Sequence, residues 1–491
     1  MPANPTFNLD DLIRFLPEII LTVMGTLLMV LDPVINKRSS KAFGNLSLLA
    51  LVAAGAAAVF AYTTKAGPAF GGMLMVDGFA TFFRVLVMVV GILTVLPSYS
   101  FLTRQEAETG EFHALLLFSI AGQSIMVAAN ELIIVFIGLE ISSIASYVLA
   151  GYLRDDKRAN EASVKYFLLG SFATAFFLYG VAVIYGCTGT INLTAVRTAL
   201  TGQDAPSTLF VGLAAALMFV GLAFKVSAAP FQVWAPDVYQ GAPTPVAAFL
   251  SAGPKAAAFA VFLRIFMTAF EPIAHGWEPI VWGSALLSMI IGNFAALLQS
   301  NIKRMLAYSS VAHAGYVMVA LAAAPTTPNG GIGAAMFYLA AYALMNVGAF
   351  AVVSYVSGRG ERSTSIDDLA GLGQRQPMMA AMLTIFLLSL IGVPLTGGFF
   401  GKFYIFRSAL ESHLVWLTVI GLLTSAVAAY YYLRVLVVMY MHEPTEATSK
   451  IDPPSLGLRA ALILPAIGTL FLGIFPNWVL DFADRSASLL K

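Results

Sequence analysis

The sequence predicts an all-α polytopic membrane protein of about fourteen transmembrane helices. Three observations predict it. Hydrophobic residues make up 59% of the 491 and charged residues only 11%, against about 25% charge in an ordinary soluble domain. Mean hydropathy is +0.83. The apolar residues gather in runs of the length that a helix needs to cross a hydrocarbon core, about twenty residues. Ten-residue alternation, the mark of a membrane barrel, is absent, and helices are the other structure that satisfies its backbone in lipid. The same composition excludes disorder. Net charge is +1, so no bulk attraction to nucleic acid arises. Cys187 is the only cysteine, which excludes internal disulfides, thiolate zinc sites and iron–sulfur ligation by this chain alone.

Taken in order, the runs fall at 12–33, 42–62, 77–98, 112–129, 130–152, 162–187, 207–229, 242–270, 277–298, 302–323, 331–357, 378–411, 414–441 and 456–479. Only Ala129-Asn130-Glu131 separates the fourth from the fifth. No connection is long enough for a soluble domain, so residues 1–491 read as a single membrane domain. Within it, 1–111 hold spans one to three, 112–270 a first group of five, 277–441 a second group of five, and 456–491 span fourteen and a tail. The first ten residues contain no Lys or Arg, and Asp10 and Asp11 are acidic. A cleavable signal peptide has a basic start, so the first run is expected to stay as a span.

Loops after odd-numbered spans carry Lys37, Arg38, Lys41, Arg104, Arg154, Lys157, Arg158, Lys303, Arg304, Arg359, Arg362, Arg375 and Lys450; loops after even-numbered spans carry Lys65 and Arg197. By the positive-inside rule the odd loops are cytoplasmic and both termini lie outside, on the periplasmic face of a bacterial inner membrane.

Ionisable groups deep in a bilayer are costly and mark function. Glu140 stands about ten residues into span five, roughly 15 Å deep at 1.5 Å per residue. A structural ion pair is the alternative reading of it. Lys225 precedes Pro230, which has no N–H to give to the carbonyl of Val226 and so breaks span seven. Broken helix at membrane depth is tolerated beside protein or water; snorkelling from a helix end is the alternative for this lysine. Lys255 follows Pro254 among small residues that permit close helix packing. Lys402 follows a stretch containing Pro394, Gly397 and Gly398 that is expected to break span twelve. His313 joins the row as a group that titrates near neutral pH, with a hydrogen-bonded core histidine as the alternative. Two broken helices with buried lysines, five spans apart, match the pattern of inverted-repeat transporters, here spans 4–8 and 9–13.

Other charges read as less central. Arg14 and Glu18, four apart, suggest an interfacial ion pair. His113 sits at a span end. Arg84, Arg264, Arg407 and Arg434 suggest interface anchors or interhelical pairs, and Asp237 a supporting group or a loop residue.

Such a row moves protons. A lysine in water keeps its proton at neutral pH; low dielectric weakens that hold, and a nearby carboxylate restores it. Moving Glu140 toward Lys225 would load the lysine, and moving it away would release the proton. The chain shows no Walker motif, no dinucleotide fingerprint and no cluster ligands, so energy comes from a partner or an ion gradient. Sodium is disfavoured as the main ion, because hard cations take oxygen ligands.

Two stretches carry a family resemblance. Phe224-Lys225-Val226-Ser227-Ala228-Ala229-Pro230-Phe231-Gln232-Val233-Trp234-Ala235-Pro236-Asp237-Val238-Tyr239-Gln240-Gly241-Ala242-Pro243-Thr244-Pro245-Val246 and Leu390-Ile391-Gly392-Val393-Pro394-Leu395-Thr396-Gly397-Gly398-Phe399-Phe400-Gly401-Lys402-Phe403 resemble signatures of the antiporter-like membrane subunits of respiratory complex I. The resemblance covers essentially the whole chain. Gln232 departs from it, since relatives often carry histidine there. Lysine at 402, where some members carry glutamate, and an end after span fourteen, without the lateral helix of the longest members, narrow the match within the family. The resemblance implies that Glu140 and Lys225 form a coupling pair, that Lys255 and His313 lie on a central hydrophilic axis, and that Lys402 ends it. It implies no cofactor or metal on this chain, with NADH, flavin, iron–sulfur clusters and the quinone site in partner subunits. The implied partners are a neighbouring antiporter-like subunit, small membrane subunits and, through the complex, a peripheral redox arm. A subunit of a multi-subunit cation/proton antiporter is the alternative.

Overall fold

The computed structural model describes residues 8–34, 40–203, 205–449 and 453–488. Lys37, Arg38 and Lys450, counted above among the basic loop residues, lie outside these, as do both chain ends. Twelve helices among the described residues are long and apolar enough to cross a membrane, and two shorter apolar helices, Leu16–Leu31 and Pro377–Ile391, stand where spans one and twelve were expected.

The membrane helices and half-helices are α1 (Leu16–Leu31), α2 (Ser40–Lys65), α3 (Gly78–Gln105), α4 (Gly110–Ala128), α5 (Leu132–Ala150), α6 (Lys157–Thr188), α7 (Thr208–Val226), α8 (Trp234–Gly241), α9 (Thr244–Arg264), α10 (Ala274–Leu297), α11 (Ile302–Ala323), α12 (Pro328–Val356), α13 (Pro377–Ile391), α14 (Gly397–Glu411), α15 (Val415–Met441) and α16 (Leu456–Ile474). A further helix, α17 (Asn477–Ala487), follows. Short polar side chains start several of them. Asp77 accepts from Ala80 N at 2.6 Å, Asn301 from Arg304 N at 3.1 Å and Asp156 from Arg158 N at 2.9 Å, each satisfying an N–H that the first helical turn leaves free.

Both expected helix breaks exist. Span seven stops at Val226 and resumes at Trp234; span twelve stops at Ile391 and resumes at Gly397. Pro230 and Pro394 lie inside the breaks. Gly397 and Gly398 do not: they open α14. Their smallness serves packing instead, because a Cβ on Gly398 would stand 1.9 Å from the Ser389 carbonyl of α13. Pro254 leaves α9 continuous.

The bundle places α9, α11 and α12 at its centre. Every residue of α9 is buried, as is nearly all of α11, while α2, α6 and α15 expose many large apolar side chains on the outside. Glycine contacts draw two hairpins tight. In α4–α5, a Cβ on Gly122 would lie 2.5 Å from Ser142 N; in α10–α11, a Cβ on Gly292 would lie 2.5 Å from Ala312 N. Backbones this close are a membrane packing device, where small residues replace hydrophobic driving force.

Two features escaped sequence reasoning or differ from it. A small antiparallel hairpin, β1 (Gly67–Ala69) with β2 (Leu74–Val76), pairs Pro68 with Met75 and turns through Gly71 and Gly72 at φ 70° and 93°. Strands of three residues are too short to show a period. The expected Arg14–Glu18 pair does not form. The short helix Leu9–Arg14 ends one residue before α1, so 14 and 18 do not share one continuous helix face. Arg14 pairs with Asp11 at 3.2 Å, and Glu18 turns inward to Arg84 at 2.8 Å, both fully buried.

Candidate functional site

The break in span seven shapes the first part of the site. Ser227 takes φ +60°, ending α7 directly after Lys225 and Val226. The freed backbone is stitched to neighbours: Ser288 Oγ accepts from Ala229 N at 2.8 Å, Ser284 Oγ donates to Ala229 O at 2.5 Å, and Trp234 Nε1 donates to Phe224 O at 2.8 Å. Lys225 therefore sits in the last turn of a helix, whose carbonyl end favours a cation. Its Nζ donates to Ser143 Oγ at 2.6 Å and lies 3.4 Å from Tyr166 OH. The rings of Tyr147 and Tyr166 stand 5.7 and 5.4 Å away, within cation–π range. Tyr166 is held by stacking on Trp234 at 4.4 Å, so the far side of the break orients a partner of Lys225.

Glu140 is on α5, one turn before Ser143. Its Oε1 is buried without a hydrogen-bond partner among the described residues, and no Lys, Arg or His lies within ion-pair distance of it. A structural ion pair is therefore not its role in this conformation.

The centre of the site is α11. Lys255 projects from α9 and donates to Ser310 O at 2.9 Å and to Ser310 Oγ, with the Tyr342 ring 5.9 Å away. Three residues on, His313 is hydrogen-bonded through Nδ1 to Tyr338 OH and lies 3.3 Å through Nε2 from Tyr432 OH, which is itself bonded to Ser309. His313 is thus a hydrogen-bonded core residue and a member of the row at once.

The second break supplies the last part. Gly392 takes φ +96° and ends α13, leaving its final carbonyls without helical donors. Lys402 fills that need: Nζ donates to Leu390 O at 3.0 Å, Ile391 O at 2.9 Å and Ser425 Oγ at 2.7 Å. Its ammonium lies 4.9 Å from the Tyr316 ring.

The structure thus buries Lys225, Lys255, His313 and Lys402 and joins Lys255 to His313 through one turn of α11. No direct hydrogen bond joins Lys225 to Lys255, or His313 to Lys402, among the described residues. Gln232 Oε1 and Asn346 Oδ1 are buried without hydrogen-bond partners among the described residues. Buried polar atoms of this kind call for water.

The hydroxyls of Ser143, Tyr166, Ser310, Tyr338, Tyr432 and Ser425 were missed in the sequence. Ser143 and Ser310 carried a usable signal, lying three residues from Glu140 and His313 on the same helices. Lys303 and Arg304 were read as loop residues, but both lie in the first turn of α11. Lys303 pairs with Glu361 at 3.0 Å, both buried, and donates to Ala242 O at 2.7 Å. Asp237, on α8, pairs with Lys165 at 2.8 Å and Arg304 at 2.6 Å. Arg264 pairs with Asp77 at 2.9 Å, Arg407 with Glu411 at 2.9 Å, and Arg434 donates to Gln299 O at 3.4 Å. His113 is buried near the start of α4, and neither ring nitrogen has a hydrogen-bond partner among the described residues. Among the described residues, no group of three His, Cys, Asp or Glu could hold a metal ion.

A family profile described as NADH:quinone oxidoreductase/Mrp antiporter, TM, matches residues 129–428, which include every member of this row. The chain is 74% identical over 491 residues to NADH-quinone oxidoreductase subunit N 1 of Solibacter usitatus, covering 100% of both. Its fold is similar to that of a chain in respiratory complex I from Thermus thermophilus, with TM-score 0.80 and 34% identity over 95% of this chain and 99% of that one. It is also similar to a chain of the membrane-bound sulfane sulfur reductase, an archaeal respiratory membrane complex, with TM-score 0.84 and 27% identity over 98% and 97%.

Proposed function

From the premise that the chain belongs to the NADH:quinone oxidoreductase/Mrp antiporter membrane family, in its subunit N group, we propose that it carries protons across the bacterial inner membrane along the row Glu140, Lys225, Lys255, His313 and Lys402. The observation that carries this reading is the burial of four ionisable groups, two on the central helices α9 and α11 and two beside the helix breaks, each supported by hydroxyls or by backbone carbonyls.

The magnitudes are compatible. Moving one charge against 100 mV costs about 2.3 kcal/mol. A hydrogen bond to a charged group is worth about 1.5–3 kcal/mol. Exchanging one contact at Lys225 or Lys402 is therefore enough to change where the proton rests. Glu140 acts on Lys225 through charge: approach of its carboxylate loads the lysine, and retreat favours release toward Lys255. His313 passes the proton on through its flanking tyrosines, and Lys402 ends the path.

The energy enters from partner subunits, where NADH is oxidised and quinone reduced; this chain holds no redox group and contributes the path. A neighbouring antiporter-like subunit and small membrane subunits complete the surroundings, with a peripheral redox arm acting through the complex. Both termini face outside. The five-span repeats, 4–8 and 9–13, are supported by the position of the two breaks and by the glycine-packed hairpins at corresponding places.

The test is NADH-driven proton uptake in membrane vesicles whose complex carries Lys255→Ala. Loss of pumping in an assembled complex is expected; full pumping would remove Lys255 from the path.

A further inference from the structure

The cage around Lys402 contains three oxygens, and they are not chemically alike. Leu390 O and Ile391 O, at 3.0 and 2.9 Å, are fixed by the end of α13. A carbonyl accepts hydrogen bonds but has no proton to give. Ser425 Oγ, at 2.7 Å, comes from α15 across the bundle. A hydroxyl accepts from an ammonium and, after rotation, donates to a neutral amine.

Ser425 is also unusual on its own helix. Thr418 and Thr424 donate their hydroxyl protons to Leu414 O and Ile420 O, at 3.1 and 2.9 Å, the ordinary fate of a hydroxyl in a membrane helix. Ser425 bonds across helices instead, accepting from Lys402 at 2.7 Å and standing within hydrogen-bond reach of Tyr316 on α11. Its hydroxyl can therefore turn between the lysine and its other neighbours. Ser425 and Lys402 together line a cavity of about 480 Å³ that extends along α14 and α15 past Thr418 to Glu411.

We propose that Ser425 is the proton-relay residue of Lys402, the group through which the terminal lysine gains and loses its proton. In release, an Nζ–H bond of Lys402 breaks and Ser425 Oγ takes that proton. The original hydroxyl proton of Ser425 passes at the same time to a water molecule in the adjoining cavity. The lysine is left as a neutral amine, the serine is unchanged, and one proton has moved. Loading runs the same steps in reverse. Leu390 and Ile391 keep the ammonium in place but do not exchange with it. This inference rests on the proton path proposed above and adds to it the direction in which the proton leaves Lys402, toward α15.

The experiment compares Ser425→Ala, Ser425→Thr and Ser425→Val in the whole complex, with Lys402→Ala alone and combined with Ser425→Ala. Assembly, NADH-linked turnover and proton uptake into vesicles are measured. Thr and Val have nearly the same shape, so their difference reads the hydroxyl even if Ala perturbs packing. Expected are Thr within about twofold of the parent and Val and Ala reduced roughly tenfold or more, the scale of a lost proton-transfer group. The double variant is expected to match Lys402→Ala alone, because groups acting as a unit do not add. Equal pumping by Thr and Val, with Lys402→Ala impaired, would overturn the relay and leave the path intact. Normal pumping by Lys402→Ala would overturn the path itself, and the relay with it.

Discussion

Lys225 faces Glu140 across one helical turn without touching it: its Nζ donates to Ser143 Oγ at 2.6 Å, three residues beyond Glu140, and the two charges form no ion pair within 4 Å. Ser143 thus holds the lysine in the place from which the carboxylate can be engaged or left alone. A closed pair would trap the proton on Lys225; a distant one would not influence it. Glu140→Gln keeps shape and polarity and removes the charge. Assembly is expected to persist while NADH-linked turnover and pumping fall about tenfold, with Glu140→Asp intermediate. Unchanged pumping by the Gln variant would separate Glu140 from Lys225.

The second break is held by contact as much as by proline. A Cβ on Gly398 would meet Ser389 O at 1.9 Å, whereas one on Gly186 would meet nothing within 4 Å. Gly398→Ala is expected to force α13 and α14 apart at a cost of about 1–3 kcal/mol, seen as a lower melting temperature and less assembled complex. Gly186→Ala is expected to be neutral. Equal stability of the two variants would contradict this account of the break.

Glu18 and Arg84 pair at 2.8 Å with both side chains fully buried, and Ser124 donates to Glu18 at 2.5 Å. Removing one partner strands the other charge. Glu18→Ala is expected to destabilise the subunit by about 3–5 kcal/mol, while the joint replacement Glu18→Leu with Arg84→Met is expected to recover most of that loss. Thermal melts of the purified complex distinguish the two; a double variant as unstable as Glu18→Ala would contradict the pairing.

Asp237 ties the half-helix α8 to Lys165 at 2.8 Å and to Arg304 at 2.6 Å. All three side chains are partly exposed, so each pair is worth about 1 kcal/mol or less. Asp237→Ala is expected to lower the melting temperature by a few degrees, less than the loss of a fully buried pair. An unchanged melt would show that Asp237 contributes nothing to holding α8.

The sequence exposed the architecture because its signals are long. Each apolar run of about twenty residues declares a span, and the lysines at 225, 255 and 402 are visible because nothing around them is charged. Pro230 and Pro394 marked the breaks for a covalent reason, the missing N–H. The glycines at 397 and 398 misled by one turn, since a glycine needed for close packing looks the same in sequence as one needed for a turn. Partners were harder to read. Ser310 and Ser425 are ordinary helix serines until the fold sets a lysine against them. Lys303, adjacent to a loop, carries nothing in its neighbours to announce a buried pair with Glu361, 58 residues away. Arg84 and Glu18 likewise meet only because α1 and α3 pack together.

The most direct test of a buried lysine path is redox-driven proton uptake in vesicles carrying Lys225→Ala, with assembly and NADH oxidation measured on the same preparation. The path predicts an assembled complex in which turnover and pumping fall together. Normal pumping by that assembled complex would contradict it.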